Sequence, residues 1–462
     1  MRADFPTTMG TMAAYAGGSL VGGMPDTRIR TISSDSRDLG PESLFVPLVG
    51  ERFDGHDFIE TLAAERTIAG FVSMRESDRA TAERHGVPAV LCDDTLRALG
   101  RIAARHRDSA SARMVGITGT NGKTTTKELV YAIASAALRT HKNEKNYNNE
   151  IGVPFALLGI RPEHECAVME MGMNHAGEIE RLSRIVRPEI ALITNVGEGH
   201  LEFLGSVENV ARAKAEIVRG MRPGGTIILN RETACVGILE DAARDAGLRM
   251  LTFALDADAD LRPESYSLQP DRTEIVLGGV TFAAPLYGVH NAANLLAAIA
   301  VGRCLGIDDA AMARALASMD AIDKRSQIVR GEFVVINDTY NSNPLSSRSA
   351  FASAARVFSG RRLIAVVSDM KELGAKAARY HAEAGREIAA SGFELLFAWG
   401  ELAAHTVAGA REAGMNGDRV AHFADKQSLV DALKKRVAKD DVVLVKGSRS
   451  MKMEEVVADL LR

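Results

Sequence analysis

The chain has 462 residues, and its 56 Lys and Arg nearly balance its 60 Asp and Glu, leaving a net charge of -4. This near-neutral balance argues against nucleic acid as the main partner. The 4 cysteines lie far apart without C-x-x-C spacing, which favours neither a disulfide framework nor a zinc site, so we expect a reducing, cytoplasmic compartment. The length predicts roughly three domains, each large enough to bury its own core.

The first predicted unit is a small α/β N-terminal domain over residues 1–95, with turn-rich strands such as TRIRTISSDSRDLGPESLFVPLVG. Within it, the stretch MGTMAAYAGGSLVGG is interrupted by Gly and Ser and lacks a basic flank. It therefore predicts a short helix and a turn rather than a signal peptide. No apolar run approaches the roughly 20 residues needed to span a bilayer, so we expect no membrane span.

The second predicted unit, over residues 96–322, alternates short apolar runs with amphipathic stretches. The runs are RMVGITG, ECAVMEMGM, EIALITNV, GGTIILN and LRMLTFAL. Each has the length of a strand and is apolar on both faces, which is typical of a parallel sheet covered by helices. The pattern predicts a doubly wound α/β domain. After residue 260 a small antiparallel patch is expected, followed by helical spacing up to about residue 320.

The third predicted unit, over residues 323–462, is a second series of strands and helices. Its apolar runs are FVVINDTY, RRLIAVVSDM, FELLFAWGE, RVAHFAD and DVVLVKGS. Each run is followed by a helical stretch, which predicts a Rossmann-like C-terminal domain.

The segment VGITGTNGKTTTKE lies between a predicted strand and a predicted helix. It departs from the Walker A pattern G-x-x-x-x-G-K-[ST], because Ile117 stands where the first glycine belongs. Gly119 and Gly122 nevertheless allow backbone N–H groups to converge on a phosphate at the helix N-terminus. Lys123 would reach the β and γ phosphates, and Thr124 would place its hydroxyl on Mg²⁺. The loop therefore predicts a nucleotide phosphate site.

Further candidate residues follow the neighbouring strands. Glu170 ends ECAVMEMGM, where its carboxylate could bind Mg²⁺ or simply lie beside a helix N-cap. His200 follows EIALITNV between Glu198 and Glu202, and it could bind a second metal, although imidazole is an unusual ligand for Mg²⁺ and a lone histidine is more often structural. Lys214, in VARAKAEIV, has the pattern of a solvated helical lysine.

Taken together and in order, these blocks resemble the Mur ligases, the ATP-dependent enzymes that extend the peptide of the bacterial cell-wall precursor. Their phosphate loop has the short form G-T-N-G-K-T-T, which stands here at 119–125. Further matching blocks are NYNNEIGVP, EMGMNHAGEI, ITNVGEGHLEFLGS, ARAKAEI, GVHNAANLLAAIAV and VINDTYNSNPLS. The stretches SSDSRDLGPESLFVPLVGERFDGHDFI and LVKGSRSMKMEEVV resemble the branch that joins D-alanyl-D-alanine to UDP-N-acetylmuramoyl-tripeptide.

The resemblance implies a role for particular residues of this chain. It implies ATP contacts at Gly119, Thr120, Asn121, Gly122, Lys123, Thr124, Thr125, Asn291, Asn294, Arg325 and Asp338. It implies metal ligation by Thr124, Glu170, His200 and Lys214, the last as a carbamate formed from CO₂. It implies catalytic roles for Lys123, His200, Lys214 and Arg325. It implies substrate contacts at Asp35, Ser36, Arg37, Asn148, Asn149, Tyr340 and Asn343.

The implied activity is amide formation through an acyl phosphate, with ATP and two Mg²⁺ ions, by a bacterial cytoplasmic monomer whose C-terminal domain closes over the nucleotide. The third residue of the tripeptide, L-lysine or diaminopimelate, stays open. So do three alternatives. A Mur ligase that adds a single amino acid would share the central blocks, and a folylpolyglutamate synthase would share the loop but lack a uridine-binding domain. A nucleotide-gated scaffold protein would release no phosphate.

Overall fold

A computed structural model of the chain describes residues 1–144, 146–320 and 326–462. These residues form three six-stranded sheets and one three-stranded sheet, each from a separate stretch of the chain. The predicted α/β fold class is confirmed. The predicted domain limit at 322/323 lies outside the described residues, and the limit at 95/96 stays a prediction. No helix in the described ranges is both long enough and apolar enough to cross a bilayer.

The N-terminal sheet has the strand order β1-β3-β4-β5-β6-β2, with antiparallel strands at both edges and parallel strands between them. Its strands are β1 (Arg2–Thr8), β2 (Ser19–Val21), β3 (Arg28–Ser33), β4 (Ser43–Phe45), β5 (Gly70–Ser73) and β6 (Ala89–Leu91). The helices of this part are α1 (Met9–Ala16), α2 (Ile59–Ala64), α3 (Asp78–His85) and α4 (Thr95–Ser109). The predicted short helix is α1, which ends at Gly17 because that residue adopts a φ of 66° that favours glycine. Strand β2 follows where only a turn was predicted.

The central sheet is parallel throughout, in the order β12-β11-β10-β7-β9-β8. Its strands are β7 (Arg113–Thr118), β8 (Thr140–Lys142), β9 (Cys166–Glu170), β10 (Ile190–Ile193), β11 (Thr226–Asn230) and β12 (Arg249–Phe253). The antiparallel patch consists of β13 (Ser265–Leu268), β14 (Thr273–Leu277) and β15 (Val280–Ala284). All five predicted central strands and the predicted patch are confirmed.

The helices of the central part cover both faces of this sheet. They are α5 (Lys123–Ser135), α6 (Gly152–Leu158), α7 (Glu178–Val186), α8 (Leu201–Leu204), α9 (Val207–Ala215), α10 (Val236–Asp245), α11 (Val289–Cys304) and α12 (Asp309–Ala317). Strand β7 lies between β9 and β10, so the loops after these three strands meet at one edge of the sheet. In open parallel sheets this carboxyl edge is where ligands bind.

The C-terminal sheet has the order β16-β17-β21-β18-β19-β20 and is parallel except for β16 at one edge. Its strands are β16 (Gln327–Arg330), β17 (Val334–Asp338), β18 (Leu363–Ser368), β19 (Leu395–Trp399), β20 (Val420–Phe423) and β21 (Val442–Lys446). The helices are α13 (Pro344–Val357), α14 (Ala377–Ala390), α15 (Ala403–Glu412), α16 (Lys426–Lys434) and α17 (Glu454–Leu460). The five predicted strands are confirmed, and β16 adds an edge strand.

Helices α14 and α15 cross with their backbones in direct contact. A Cβ atom at Gly385 of α14 would overlap the carbonyl oxygen of Thr406 in α15. A Cβ atom at Gly409 of α15 would likewise overlap the carbonyl oxygen of Ala382. Neither obstacle is a flexible side chain, so the crossing requires glycine in both helices.

We expect Gly385→Ala to destabilise the C-terminal part by about 1–3 kcal/mol, because the added methyl group forces two helix backbones apart. Thermal and urea denaturation of the purified protein measures this change. Gly237→Ala in α10 is the matched control, since no atom lies within 4 Å of its added Cβ. That variant should be neutral or stabilised by up to about 1 kcal/mol through helix propensity. Equal stability of the two variants would contradict the close crossing.

Candidate active site

The phosphate loop joins the end of β7 to the start of α5, and both of its glycines are required by their surroundings. A Cβ atom at Gly119 would overlap the hydroxyl of Thr194, which follows β10. Gly122 has a φ of 78°, which a residue with a side chain rarely adopts, and a Cβ atom there would overlap the Asn294 side chain. The loop is therefore packed between the end of β10 and helix α11. This packing holds the loop in the shape that a phosphate site needs.

Hydrogen bonds from the segment after β10 fix the backbone of this loop. The backbone N–H of Asn121 donates to Asn195 Oδ1 at 2.9 Å, and that of Thr120 donates to the Asn195 carbonyl oxygen at 2.9 Å. The carbonyl oxygen of Asn121 accepts from Thr194 Oγ1 at 2.6 Å and from Asn195 Nδ2 at 3.1 Å. Thr194 and Asn195 thus position the loop, a role that the sequence analysis did not assign.

Two lysines lie near the phosphate loop, close enough for the charge of one to affect the other. Lys123 Nζ donates to the carbonyl oxygens of Gly119 at 2.9 Å and Thr120 at 3.1 Å. Lys214, on α9, is buried, and it has no hydrogen-bond or ion-pair partner within 1–144, 146–320 and 326–462. Burial and, to a smaller extent, the charge of Lys123 hold the pKa of Lys214 well below its usual range. The expectation of a solvated lysine from the helical pattern is therefore wrong, because the helix turns this position inward.

A buried carboxylate lies beside the first turn of α5. Glu170 is 1 % exposed, and its Oε2 accepts from Thr124 Oγ1 at 2.8 Å while its Oε1 accepts from Asn148 Nδ2 at 2.7 Å. Asn143 anchors the backbone of Glu170 through its own amide. The structure thus brings together Thr124 and Glu170, whose oxygen atoms suit a hard cation such as Mg²⁺. The described residues contain no group of three or more His, Cys, Asp or Glu that could hold a metal.

His200 lies in a different contact. Its φ of 55° is unusual for a residue with a side chain, and Glu372 of the C-terminal part has a φ of 63°. His200 Nδ1 lies 2.8 Å from Glu372 Oε2, and this contact lowers the pKa of Glu372. The Glu202 N–H donates to the Glu372 carbonyl oxygen at 3.0 Å. His200 is therefore held against the C-terminal part, and among the described residues its side chain pairs with Glu372, not with Glu170.

A cavity of about 730 Å³ lies between the central and C-terminal parts, beside the phosphate loop. Pockets of roughly 300–1,000 Å³ hold ligands of the size of a nucleotide. Its lining includes seven residues predicted to bind ATP or substrate, namely Asn121, Gly122, Thr125, Asn291, Asn294, Asp338 and Tyr340. Asn294 Nδ2 donates to Asn291 Oδ1 at 2.9 Å, and Asn291 Nδ2 donates to the Tyr287 carbonyl oxygen at 2.8 Å. The two asparagines therefore form one fixed polar wall.

The opposite wall carries a polar chain around Asp338. Lys446 Nζ donates to Asp338 Oδ2 at 2.5 Å, and the Ser326 N–H donates to Asp338 Oδ1 at 3.2 Å. Burial alone would raise the pKa of Asp338, but the Lys446 ammonium outweighs it and holds that pKa below the ordinary value. His290 Nε2 lies 3.4 Å from Ser326 Oγ, and burial lowers the pKa of His290 to about 4. This imidazole is neutral at pH 7.

His290, Ser326 and Lys446 also line the cavity, although their sequence patterns did not predict it. Lys446 ends β21 just as Asp338 ends the adjacent β17, with which it pairs in register. A strand-end position was thus the available signal for Lys446. His290 and Ser326 come from different parts of the chain, so no local pattern could have placed them together.

Three predicted substrate residues contact other parts of the protein in this structure. Asn343 is the N-cap of α13, and its side chain pairs with that of Asn121. Asn149 Oδ1 accepts from the backbone N–H groups of Ile151 and Gly152, at the start of α6. Tyr340 lines the cavity beneath the Arg449 guanidinium, 5.8 Å from the ring centre.

The predicted uridine residues lie in the N-terminal part. Arg37 Nε and Nη2 each donate to the Asp35 carboxylate at 2.9 Å. These bonds hold the pKa of Asp35 well below its usual range. Neither residue nor Ser36 belongs to the described lining of the cavity. Their role as substrate contacts stays a prediction, and Arg325 lies outside the described residues.

Comparison with known proteins agrees with this geometry. Family profiles described as "Mur ligase family, catalytic domain", "Mur ligase middle domain" and "Mur ligase, glutamate ligase domain" match residues 28–107, 117–302 and 324–449. The UDP-N-acetylmuramoyl-tripeptide--D-alanyl-D-alanine ligase of Bacillus subtilis is 36% identical, with 94% of each chain covered. The chain belongs to the Mur ligase family. The Escherichia coli ligase of the same name is 35% identical, with 98% of each chain covered.

Solved structures of the Mur ligase family also match. A crystal structure of MurF from Acinetobacter baumannii superposes with a TM-score of 0.90 at 30% identity, covering 99% of both chains. MurF from Thermotoga maritima, in complex with ADP, superposes with a TM-score of 0.80 at 26% identity, covering 93% of this chain and 96% of that one. A folylpolyglutamate synthase from Mycobacterium tuberculosis, at 17% identity and a TM-score of 0.64, shares the fold.

Behind the cavity, a half-buried carboxyl on α14 gives the junction a pH dependence. Burial raises the pKa of Glu387 from its usual 4.5 to about 7. The charged groups that face it are those of Arg348, Glu383, Glu198 and Arg386. Between pH 4.5 and about pH 7, Glu387 keeps its proton in the folded protein but has lost it in the unfolded chain. The free energy of unfolding therefore falls as the pH rises through this range.

We expect Glu387→Gln to raise the melting temperature at pH 8, where the native carboxylate is charged, and to change it little at pH 5, where the native carboxyl is protonated. Thermal denaturation at the two pH values measures the difference. Glu412→Gln, at an exposed position of α15, is the control and should change the melting temperature little at either pH. An equal effect of Glu387→Gln at both pH values would show that this carboxyl does not titrate near neutrality.

Proposed function

We propose that this Mur ligase joins D-alanyl-D-alanine to the terminal carboxylate of UDP-N-acetylmuramoyl-tripeptide, using ATP, in the bacterial cytoplasm. The observation that carries the proposal is the cavity that opens onto the phosphate loop, together with the hydrogen bond from Thr124, at the start of α5, to the buried carboxylate of Glu170, at the end of β9. Such a site suits the transfer of a phosphoryl group. The names of the full-length relatives specify the two substrates.

An amine cannot readily displace oxygen from a carboxylate, because oxide and hydroxide are poor leaving groups. In the proposed sequence a carboxylate oxygen of the tripeptide attacks the γ-phosphorus of ATP, and the bond to the β-phosphate oxygen breaks. This gives an acyl phosphate and ADP. The dipeptide amine then attacks the acyl carbon, and the tetrahedral intermediate expels inorganic phosphate as the amide forms and the amine loses a proton. Positioning and neutralisation of charge are what the protein supplies in the first step.

The residues around the loop fit these needs. Lys123 already places its ammonium among the loop carbonyl oxygens, where it would bind phosphate oxygens in their place. Thr124 and Glu170 would hold Mg²⁺, because their oxygen atoms lie 2.8 Å apart and both are ligands that this cation prefers. Bound Mg²⁺ supplies neutralisation of phosphate charge. We propose that Asn291 and Asn294 bind the adenine.

The far wall and the remaining predicted contacts complete the proposal. Asp338 would accept a hydrogen bond from the ribose, since its carboxylate is kept charged by Lys446. Arg325 would reach the γ-phosphate. Asp35, Ser36 and Arg37 would bind the uridine nucleotide. Asn148, Asn149, Tyr340 and Asn343 would line the path of the two peptide substrates, and the protein would act as a monomer.

Lys214 is proposed to carry a carbamate. A lysine reacts with CO₂ only as the neutral amine, and burial lowers the pKa of Lys214, which favours this form. The reaction forms an N–C bond, releases a proton and leaves a carboxylate-like group. That anion would lie near the Lys123 ammonium, whose charge would stabilise it. His200 is proposed as a further metal ligand, although its recorded contact is with Glu372.

The proposed function predicts that inorganic phosphate is released from ATP only when both UDP-N-acetylmuramoyl-tripeptide and D-alanyl-D-alanine are present. A coupled phosphate assay with each substrate omitted in turn measures this. Comparing tripeptides that end in L-lysine and in diaminopimelate identifies the natural third residue. Phosphate release with a single amino acid in place of the dipeptide would favour another member of the family.

We expect Lys214→Ala to lose more than about a hundredfold in kcat, because an anion that the site requires is missing. Acetate or formate should restore part of the activity of this variant by filling the space of the carbamate. The matched control is Arg212→Ala, which removes an exposed cation from the same helix and should keep full activity. Full activity of Lys214→Ala without added carboxylate would contradict the carbamate.

A further inference from the structure

One face of helix α13 contacts the central part along most of its length. This docking face comprises the N-cap Asn343 together with Leu345, Arg348, Ser349 and Ser353. Its partners are, in the same order, Asn121, Gly197, Glu198, His290 and the backbone N–H of Val289. All five partner residues line the nucleotide cavity, and Asn121 also belongs to the phosphate loop. The C-terminal part therefore contacts the central part beside the nucleotide site through this helix, in addition to the cavity wall around Asp338 and Lys446.

Arg348 makes the charged contact of the docking face. Its Nη2 lies 2.7 Å from both carboxylate oxygens of Glu198, on the loop between β10 and α8. The side chains of Glu198 and Arg348 are 17% and 36% exposed, so the pair is partly shielded from water. Both residues line the cavity. Removal of either charge would leave its partner without this neutralisation beside the nucleotide.

Asn343 makes a two-way contact with the phosphate loop itself. Asn121 Nδ2 donates to Asn343 Oδ1 at 3.1 Å, and Asn343 Nδ2 donates to Asn121 Oδ1 at 2.8 Å. Asn343 Oδ1 also accepts from the Ser346 N–H at 2.8 Å, which caps α13. Asn121 is thus bound through its backbone to Thr194 and Asn195, which follow β10, and through its side chain to Asn343 of the C-terminal part.

Gly197 allows the helix to approach this closely. A Cβ atom at Gly197 would lie 2.5 Å from Leu345 Cδ2 and 3.2 Å from Leu345 Cβ. Both distances are below a normal carbon contact, so a side chain at Gly197 would force the Leu345 side chain to move and α13 to shift by a few tenths of an ångström. The absence of a side chain at Gly197 and the two polar contacts favour the same docked position.

We propose that Arg348 and Asn343 are positioning residues that couple nucleotide binding to docking of the C-terminal part. Through Glu198 and Asn121 they hold α13 against the loop that binds the phosphates, so the cavity keeps both of its walls only while they are paired. A nucleotide that contacts both walls then binds the docked arrangement more tightly than an undocked one. The kinetic part of this inference rests on the proposed ligase function, whereas the binding part does not.

The test uses Arg348→Ala, Glu198→Gln and their combination in the full-length enzyme. We expect each single variant to raise KM for ATP and Kd for ADP about tenfold, the scale of one charge-assisted contact. The double variant should be little worse than the single ones, because both remove the same pair. A merely structural role would lower the amount of active enzyme, and hence kcat, without changing either constant.

A second variant keeps the helix intact. Asn343→Asp preserves the cap of α13, because aspartate accepts the Ser346 N–H equally well, but it loses the donor to Asn121. It should weaken ADP binding and leave the melting temperature nearly unchanged. Small-angle scattering with ADP should show a larger radius of gyration for Arg348→Ala, for Asn343→Asp and for Gly197→Ala than for the unmodified enzyme.

Arg386→Ala is the matched control. Arg386 pairs with Glu412 at 2.9 Å within the C-terminal part, so the loss of this arginine should change neither nucleotide affinity nor scattering. Unchanged ADP affinity and scattering in Arg348→Ala and Asn343→Asp would overturn the proposal. If the unmodified enzyme released no phosphate with its two peptide substrates, the ligase function would fail while the ADP measurements would still decide the role of the docking face.

Discussion

The position of the Asn121 backbone is the constraint on which the site depends. Its N–H and carbonyl groups are bound by Thr194 and Asn195, which directly follow a buried central strand. Because that strand is paired on both sides in a parallel sheet, the loop takes its shape from the most buried part of the fold. Lys123 and Thr124, the residues that follow, are then placed by the helix that the loop begins. Electrostatic stabilisation of a reaction needs such preorganised groups, since groups that must move first lose part of their effect.

Each of the two parts contributes one wall of the nucleotide cavity. The wall from the central part contains the linked amides of Asn291 and Asn294 together with the carboxylates of Glu198 and Glu232. The wall from the C-terminal part carries charge, with Asp338 held ionised by Lys446. The neutral His290 lies where the two walls meet. The cavity therefore offers amide, carboxylate and ammonium groups to a polar ligand such as a nucleotide.

Much of the fold could be predicted from the sequence because the central and C-terminal sheets consist mainly of parallel strands whose faces are buried. Such strands are continuous apolar runs, and the ten runs in the central and C-terminal parts all became strands. The missed strands are short edges. β8 consists of Thr140, His141 and Lys142, whose side chains are only half-buried, so no apolar pattern marks it. The phosphate loop could be predicted because its glycines, lysine and threonine are consecutive. The contacts of Arg348 and His200 could not, since Glu198 and Glu372 are distant in sequence and the pairing depends on how two domains meet.

Asn343 illustrates how a local preference and a tertiary contact can narrow the choice of residue together. At the start of an ordinary helix, Ser, Thr, Asp and Asn are nearly interchangeable, because each offers an oxygen to the free N–H groups. At α13 the same side chain must also donate a hydrogen to Asn121 while its oxygen serves two acceptor roles. Aspartate has no hydrogen to donate, and the hydroxyl of serine or threonine is shorter and offers only one polar atom for all three bonds. An amide meets both demands, so substitutions that are neutral at other helix starts should not be neutral here.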